Sequence, residues 1–157
     1  MIFLKKYKIL FTIIVLVFLS SFLRFHNLQQ LYIFGFDEEY QATYAWSLVK
    51  DPHPIWIGVS ASYLDYYMGP YFTYFTAILL GLSKGDPILT TYFAAFVGVA
   101  TSVIIFFIGR YFFNFTTGLI GSFLHASLPL FVYYDQKYWN PMFVSLVALG
   151  TFVVFNL

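Results

Sequence analysis

The chain contains no cysteine, which excludes disulfides, thiolate metal sites and cysteine nucleophiles. Charge is also scarce, because only 10% of the 157 residues are charged and the net charge is +1. Such a balance gives no basic patch for nucleic acid, and we expect no nucleic-acid partner. The three histidines, His26, His53 and His125, are scattered and lack the H-x-x-x-H spacing of many zinc enzymes.

Apolar residues dominate what is present. Hydrophobic residues make up 61% of the chain and aromatic residues 24%, and the mean hydropathy is +0.77. A soluble domain is nearer half apolar and about a quarter charged. This composition predicts an all-α polytopic membrane protein, a single transmembrane domain over residues 1–157. We expect about four transmembrane helices plus one or two extracytoplasmic juxtamembrane helices.

The first apolar run, Ile9 to Phe25, follows three lysines within the first eight residues. Its 17 residues just suffice to cross a bilayer, with Arg24 predicted to snorkel to the far interface. A cleaved signal peptide is the alternative, but the end of the run lacks a small-x-small cleavage site. We therefore predict an uncleaved spanning helix over residues 1–25. The lysines favour a cytoplasmic N-terminus, which makes residues 26–87 an extracytoplasmic loop.

Three consecutive acids, Asp37, Glu38 and Glu39, lie in this loop. Packing does not account for them, because burying an unpaired carboxylate costs several kcal/mol. They suit the first turn of a short interfacial helix from Asp37 to Val49, where they interact well with the helix dipole. A proline after Asp51 would end that helix. The acids therefore mark either a functional site or merely a helix start.

Further apolar runs predict further spans, at residues 88–108, 115–134 and 142–157. His125, inside the second of these, predicts either a functional group in a polar bundle interior or a neutral imidazole bonded to a nearby carbonyl. The run Tyr66–Leu82 is ambiguous, since it is long enough to cross and equally suited to the interface. If it crosses, Asp135 and Asn140 lie opposite Asp37; if it does not, all three share one face.

Several short motifs follow one another at recognisable spacing. In chain order they are Leu23-Arg24-Phe25-His26-Asn27-Leu28, Asp37-Glu38, Gly69-Pro70-Tyr71-Phe72-Thr73-Tyr74, Gly109-Arg110-Tyr111-Phe112-Phe113, Tyr133-Tyr134 and Trp139-Asn140-Pro141. Together they resemble the N-terminal part of bacterial membrane glycosyltransferases of the GT-C class, in the protein O-mannosyltransferase and aminoarabinose-transferase-like group. The resemblance runs from about residue 8 to the end of the chain.

The resemblance implies an inverting transfer of a sugar from a polyprenyl-phosphate donor to a protein, lipid or glycan acceptor. The transfer would take place at the extracytoplasmic face of the bacterial inner membrane. Asp37 corresponds to the proposed catalytic base, and Glu38 to an acid that shapes the site and in some members helps to bind a metal. No cofactor is certain, and a divalent metal ion is the one candidate. The family's several hundred residues imply that this chain is an N-terminal fragment, inactive alone.

The resemblance also extends to the second loop. Family members often carry an arginine followed by a Pro-Asp pair there, whereas this chain has Asn140 in place of the aspartate and lacks the arginine. We predict Lys137, Asn140 and Tyr40 as substrate-binding residues, with Lys137 facing the lipid phosphate. A solvated loop lysine and a turn-forming Asn-Pro pair are the simpler explanations. The family's interfacial Gly-Pro helix favours a Tyr66–Leu82 segment that does not cross.

Two other classes of function are compatible with the sequence. A transporter or flippase fragment would use intramembrane charges and broken helices at the midplane, whereas the acids here concentrate in a loop. A non-catalytic membrane subunit would carry Asp37 and Glu38 only as a helix start.

Overall fold

The structure, a computed structural model, describes residues 2–32, 34–60 and 66–157, with side chains from Tyr7 onward. Within these ranges the chain forms α-helices and one 3₁₀ turn, and its only β pairing is an isolated bridge between Ser60 and Tyr67. The helices are α1 (Ile2–Phe25), α2 (Leu28–Leu31), α3 (Phe36–Lys50), α4 (Tyr71–Leu82), α5 (Ile88–Phe112), α6 (Phe115–Ser127), α7 (Pro129–Asp135) and α8 (Val144–Asn156), with the 3₁₀ turn at Asn140–Phe143. The prediction of an all-α chain is confirmed for the described residues.

Two of these helices are long and apolar enough to cross a membrane: α1, over Tyr7–Phe25, and α5. The pair α6 and α7 counts as a third span if its bend of 64° is accepted within one crossing. The described residues therefore give two or three spans, fewer than the four predicted. The apolar stretch Asn140–Asn156 is shorter than these.

The bend between α6 and α7 lies at Leu128, whose backbone is extended, with φ −66° and ψ 127°. Pro129 causes it, because proline lacks the N–H of the helix ladder and disfavours the helical conformation in the residue before it. The span predicted over residues 115–134 is therefore a pair of helices bent at Leu128. The break leaves the last carbonyls of α6 in need of partners.

The bundle has two distinct ends. At one end α1 finishes and α5 begins, since Phe25 stacks on Tyr92 with ring centroids 6.0 Å apart. At the other end the Lys8 ammonium lies 4.2 Å from the centroid of the Phe115 ring, where α6 begins. Helices α1 and α5 are thus antiparallel, and α6 returns beside them. We call the first of these the α3 end, because α3 belongs to it.

The ambiguous segment before α5 does not cross the bundle. Helix α4 has 12 residues, which gives a length of about 18 Å against a hydrocarbon core of roughly 30 Å. It packs along α3 and reaches α5 through a turn in which Lys84 and Gly85 have positive φ, 56° and 93°. Because α1 ends and α5 begins at the α3 end, α3 and α4 stay there with Asp37 and Asn140.

Helices α5 and α6 approach closely at two glycines. A Cβ on Gly118 would lie 2.5 Å from the Phe106 carbonyl oxygen and 2.8 Å from the Arg110 nitrogen. A Cβ on Gly109 would lie 2.7 Å from the Cα of Gly118. Small residues allow such backbone contact between membrane helices.

The substitution Gly118→Ala is expected to destabilise the bundle by about 1–3 kcal/mol, because its methyl group must push two backbones apart. Thermal unfolding in detergent, followed by circular dichroism, measures this as a lower melting temperature. Gly150→Ala is the matched control, since a Cβ there meets nothing within 4 Å and alanine favours a helix. Equal melting temperatures for the two variants would contradict the close crossing of α5 and α6.

Candidate functional site

A cleft of about 220 Å³ opens at the α3 end. It is built from α3, the residues around the β-bridge between Ser60 and Tyr67, the start of α4 and the segment that follows α7. Its lining residues are Asp37, Tyr40, Gln41, Val59, Ser60, Met68, Phe72, Tyr138, Trp139, Asn140 and Pro141. The volume is below the roughly 300–1,000 Å³ of pockets for drug-sized ligands, so the cleft suits a single ring-sized group.

The structure brings the predicted site residues to this one place. Asp37 and Tyr40 of α3 line the cleft together with Asn140, which comes from a segment far away in the sequence. Glu38 and Lys137 lie beside it and form an ion pair of 3.2 Å between the Lys137 Nζ and the Glu38 Oε1. The pair joins the first turn of α3 to the segment after α7. The roles assigned to these residues remain predictions.

The acid triplet divides into one buried and two exposed carboxylates. Glu38 is only 5% exposed, while Asp37 and Glu39 are exposed. The Glu38 Oε2 accepts a hydrogen bond of 3.1 Å from the Gly35 N–H, and its Oε1 faces Lys137. A buried carboxylate is tolerated when it is paired in this way. Glu38 therefore fixes the start of α3 and leaves Asp37 at the cleft.

The divalent ion that the resemblance admits, with Glu38 as its possible ligand, stays a prediction. The Glu38 Oε2 accepts a backbone N–H, while its Oε1 has no hydrogen-bond partner among the described residues and lies 3.2 Å from the Lys137 ammonium, which would repel a cation. Across the described parts of the chain, no three His, Cys, Asp or Glu side chains are grouped as metal ligands would be. We therefore derive no step through a metal.

A network of uncharged polar groups supports the cleft from α4. The Gln41 Nε2 donates to the hydroxyls of Thr73 and Thr76, at 3.2 and 3.3 Å. The Thr76 hydroxyl also lies 3.0 Å from the Tyr138 hydroxyl. Burial raises the pKa of Tyr138 to about 12, so its phenol keeps its proton and acts as a donor. This polar face of α4 was not predicted from the sequence, although two threonines three residues apart on an apolar helix, Thr73 and Thr76, are a signal for it.

Aromatic contacts hold the segment after α7 against the rest of the α3 end. Tyr138 stacks on Phe72 of α4, with ring centroids 5.0 Å apart, and both rings are buried. Trp139 stacks on Tyr134 of α7 at 5.4 Å. The Asn140 Nδ2 lies 2.6 Å from the Met68 sulfur. The second half of the cleft is therefore anchored at several points.

A second polar cluster lies inside the bundle and corrects the prediction for Arg24. The Arg24 side chain is fully buried and does not snorkel to an interface. Its Nη2 lies 2.6 Å from the Asp135 Oδ2, and its Nε lies 2.9 Å from the same oxygen. The guanidinium also donates to the carbonyls of His125 and Ala126, at 3.0 and 3.1 Å. Arg24 thus satisfies the carbonyls freed at the end of α6.

His125 faces this polar interior, as one of the two alternatives for it predicted. Its Nδ1 lies 3.0 Å from the Ser102 hydroxyl, and its Nε2 is 4.0 Å from the Asp135 Oδ2. These are the residue types of a catalytic triad, yet Ser102 is not exposed at all and the Asp135 oxygen is already bound by Arg24. We therefore assign no catalytic step to this cluster, and the functional alternative for His125 stays a prediction. Gly98 makes room for it, because a Cβ there would overlap the Asp135 carboxylate.

Comparison of the chain with protein-family models, curated proteins and solved structures found no match. The function of the cleft is therefore argued from its own residues and from the motif resemblance.

Proposed function

We propose that the chain belongs to a membrane glycosyltransferase that moves a sugar from a polyprenyl-phosphate donor to an acceptor at the extracytoplasmic face. One observation carries the proposal: Asp37 and the segment Trp139-Asn140-Pro141 line a single cleft at the α3 end. The motif resemblance requires these two segments to meet. Neither the periodicity nor the composition of the sequence requires the two segments to meet.

The distribution of charge supports an extracytoplasmic position for the cleft. Three lysines lie in the first turns of α1, and Arg110 lies near the end of α5, both at the end opposite α3. These four basic residues compare with Lys50, Lys84 and Lys137 in the segments at the α3 end, so the difference in positive charge is small. Positive charge in short segments beside spans favours the cytoplasm. In a bacterial inner membrane this orientation would leave the cleft facing outward.

In this proposal Asp37 acts as the general base. It is exposed at the cleft, and the N-terminus of α3 interacts favourably with its negative charge. In the proposed step its carboxylate accepts the proton of the acceptor hydroxyl. The acceptor oxygen then forms a bond to the anomeric carbon, and the bond from that carbon to the phosphate oxygen breaks. The lipid phosphate leaves with the electron pair, and the configuration is inverted.

The other predicted residues would position the donor. Lys137 lies beside the cleft, and its ion pair with Glu38 fixes where its charge lies. An ammonium in that place stabilises the negative charge of a leaving phosphate. Tyr40 and Asn140, which both line the cleft, would contact the sugar.

The buried ion pair of Arg24 and Asp135 is the one observation that favours a transporter, because charges inside a bundle often mark an ion pathway. Here, however, the two charges satisfy each other and the carbonyls at the α6 break. They lie in the last turn of α1 and at the end of α7, away from the midplane.

Cell membranes from strains with and without the gene test the proposal. The probes are polyprenyl-phosphate mannose and polyprenyl-phosphate aminoarabinose, each radiolabelled in the sugar. We expect one label to move into the protein, lipid or glycan fraction only when the gene is present. Equal transfer in the two strains would contradict an enzyme. Gene-dependent movement of the intact donor across the membrane would favour the transporter.

A further inference from the structure

We propose that the side-chain carbonyl of Gln41 recognises a hydroxyl of the ligand, so that the cleft takes a neutral, hydroxyl-bearing sugar ring while the phosphate stays outside it. The identification of that ring as the donor's sugar rests on the proposed function. The orientation of Gln41 does not.

The hydrogen bonds around Thr76 determine which way the Gln41 amide points. The single hydroxyl proton of Thr76 goes to the Phe72 carbonyl, 2.7 Å away in the preceding helical turn. Thr76 can then only accept from its other two partners, the Gln41 amide and the Tyr138 phenol. The NH₂ group of Gln41 must therefore face the threonines. Its Oε1 is turned away from them.

This oxygen is an acceptor without a partner. Gln41 is only 4% exposed, and its Oε1 has no hydrogen-bond partner among the described residues. Buried polar side-chain atoms are nearly always bonded, and an exception calls for an explanation. Gln41 lines the cleft, although its Oε1 has almost no accessible surface in the structure. A donor group bound in the cleft supplies the missing partner once the side chain shifts toward it. Screening from water strengthens such a bond.

The rest of the cleft selects the same kind of ligand. Asp37 adds a second hydrogen-bond acceptor and a negative charge, and the charge disfavours an anion within the cleft. Lys137, the cation that would hold a phosphate, lies beside the cleft and is not part of its lining. Tyr40 and Trp139 contribute aromatic surface for the apolar face of a ring. Acceptors, aromatic surface and an excluded anion together indicate a sugar.

The test measures binding to the full-length protein in lipid nanodiscs. The variant is Gln41→Met, which keeps the side-chain length and removes the carbonyl. The probes are polyprenyl-phosphate mannose, polyprenyl phosphate without sugar, and methyl mannoside. We expect affinity for both sugar-bearing probes to fall roughly 10–100-fold, as loss of one buried hydrogen bond implies. Binding of the sugar-free lipid should be unchanged. Gln30→Met, at an exposed glutamine of α2, is the control.

Thr76→Val carries the same test if Gln41→Met does not fold, because it frees the amide to rotate and should weaken sugar binding by a smaller factor. Equal losses for all three probes, no loss for any, or no sugar binding by the parent protein would each overturn the inference. Gln41-dependent binding of methyl mannoside without any gene-dependent transfer would leave the inference intact and contradict the proposed function instead.

Discussion

Replacing Arg24 with alanine is expected to lower the free energy of unfolding by about 3–5 kcal/mol, the usual cost of removing one partner of a buried ion pair. The loss has two sources. Asp135 is left as a carboxylate without its cation, and the carbonyls of His125 and Ala126 lose their donor at the break before Pro129. Thermal unfolding in detergent measures the change. A buried single arginine thus holds together the ends of α1, α6 and α7.

A double-mutant cycle with Asp135→Ala separates this pairing from a general loss of packing. Asp135→Ala alone should also destabilise, because it leaves the guanidinium unpaired. The double variant should lose less than the sum of the two, since neither charge then remains buried alone. Arg110→Ala removes an exposed arginine at the other end and should change stability by less than about 0.5 kcal/mol. Additive losses of stability in the cycle would contradict a direct pairing of Arg24 with Asp135.

Replacing Asp37 with asparagine is expected to reduce gene-dependent sugar transfer by roughly 10²–10⁴-fold, the range that general-base catalysis supplies. Asparagine keeps the shape of the side chain and cannot accept the proton of the acceptor hydroxyl. The measurement is transfer from the labelled polyprenyl-phosphate donor in membranes. The substitution is made at the chromosomal gene, so that the protein has its natural length. Donor binding should persist, because the asparagine side chain keeps an oxygen that accepts a hydrogen bond from the sugar.

Glu39→Gln is the matched control for this prediction. It removes a carboxylate from the same helical turn, but this carboxylate is exposed and does not line the cleft. Its transfer rate should stay close to that of the parent. If Asp37→Asn transfers sugar at an undiminished rate, Asp37 is not the base. Similar losses in both variants would show instead that the helix start matters more than the cleft.

The sequence predicted local features well where one short stretch decides them. The acids and the proline after Asp51 predicted a helix over residues 37–49, and α3 covers Phe36–Lys50. The buried side of α3 was less predictable. It begins with Glu38 and Gln41, which local pattern alone places on the surface. Their burial depends on Lys137 and on the threonines of α4, which only the fold brings near.

The prediction for Arg24 was wrong for the same physical reason, since the contact that decides its position joins residues far apart in the sequence. Arg24 near the end of an apolar run is expected to reach the interface, unless a carboxylate from another helix approaches it, as Asp135 does. The distance between Asp37 and Asn140 also depends on whether residues 66–82 cross the membrane, and hydropathy alone allows both outcomes. Helix length decided it, because α4 begins only at Tyr71 and is too short to span. Long-range pairing could not be deduced from periodicity.

We propose that Asp37 and Asn140 share one extracytoplasmic cleft, and because the chain has no cysteine, single-cysteine labelling measures this directly. Single cysteines replace Phe36, Pro141 and Tyr111 in separate variants, all at exposed positions. Intact cells are then labelled with a membrane-impermeant maleimide. We predict labelling at Phe36 and Pro141, and labelling at Tyr111 only after permeabilisation. Labelling of only one of Phe36 and Pro141 in intact cells would place the two segments on opposite faces and contradict the shared cleft.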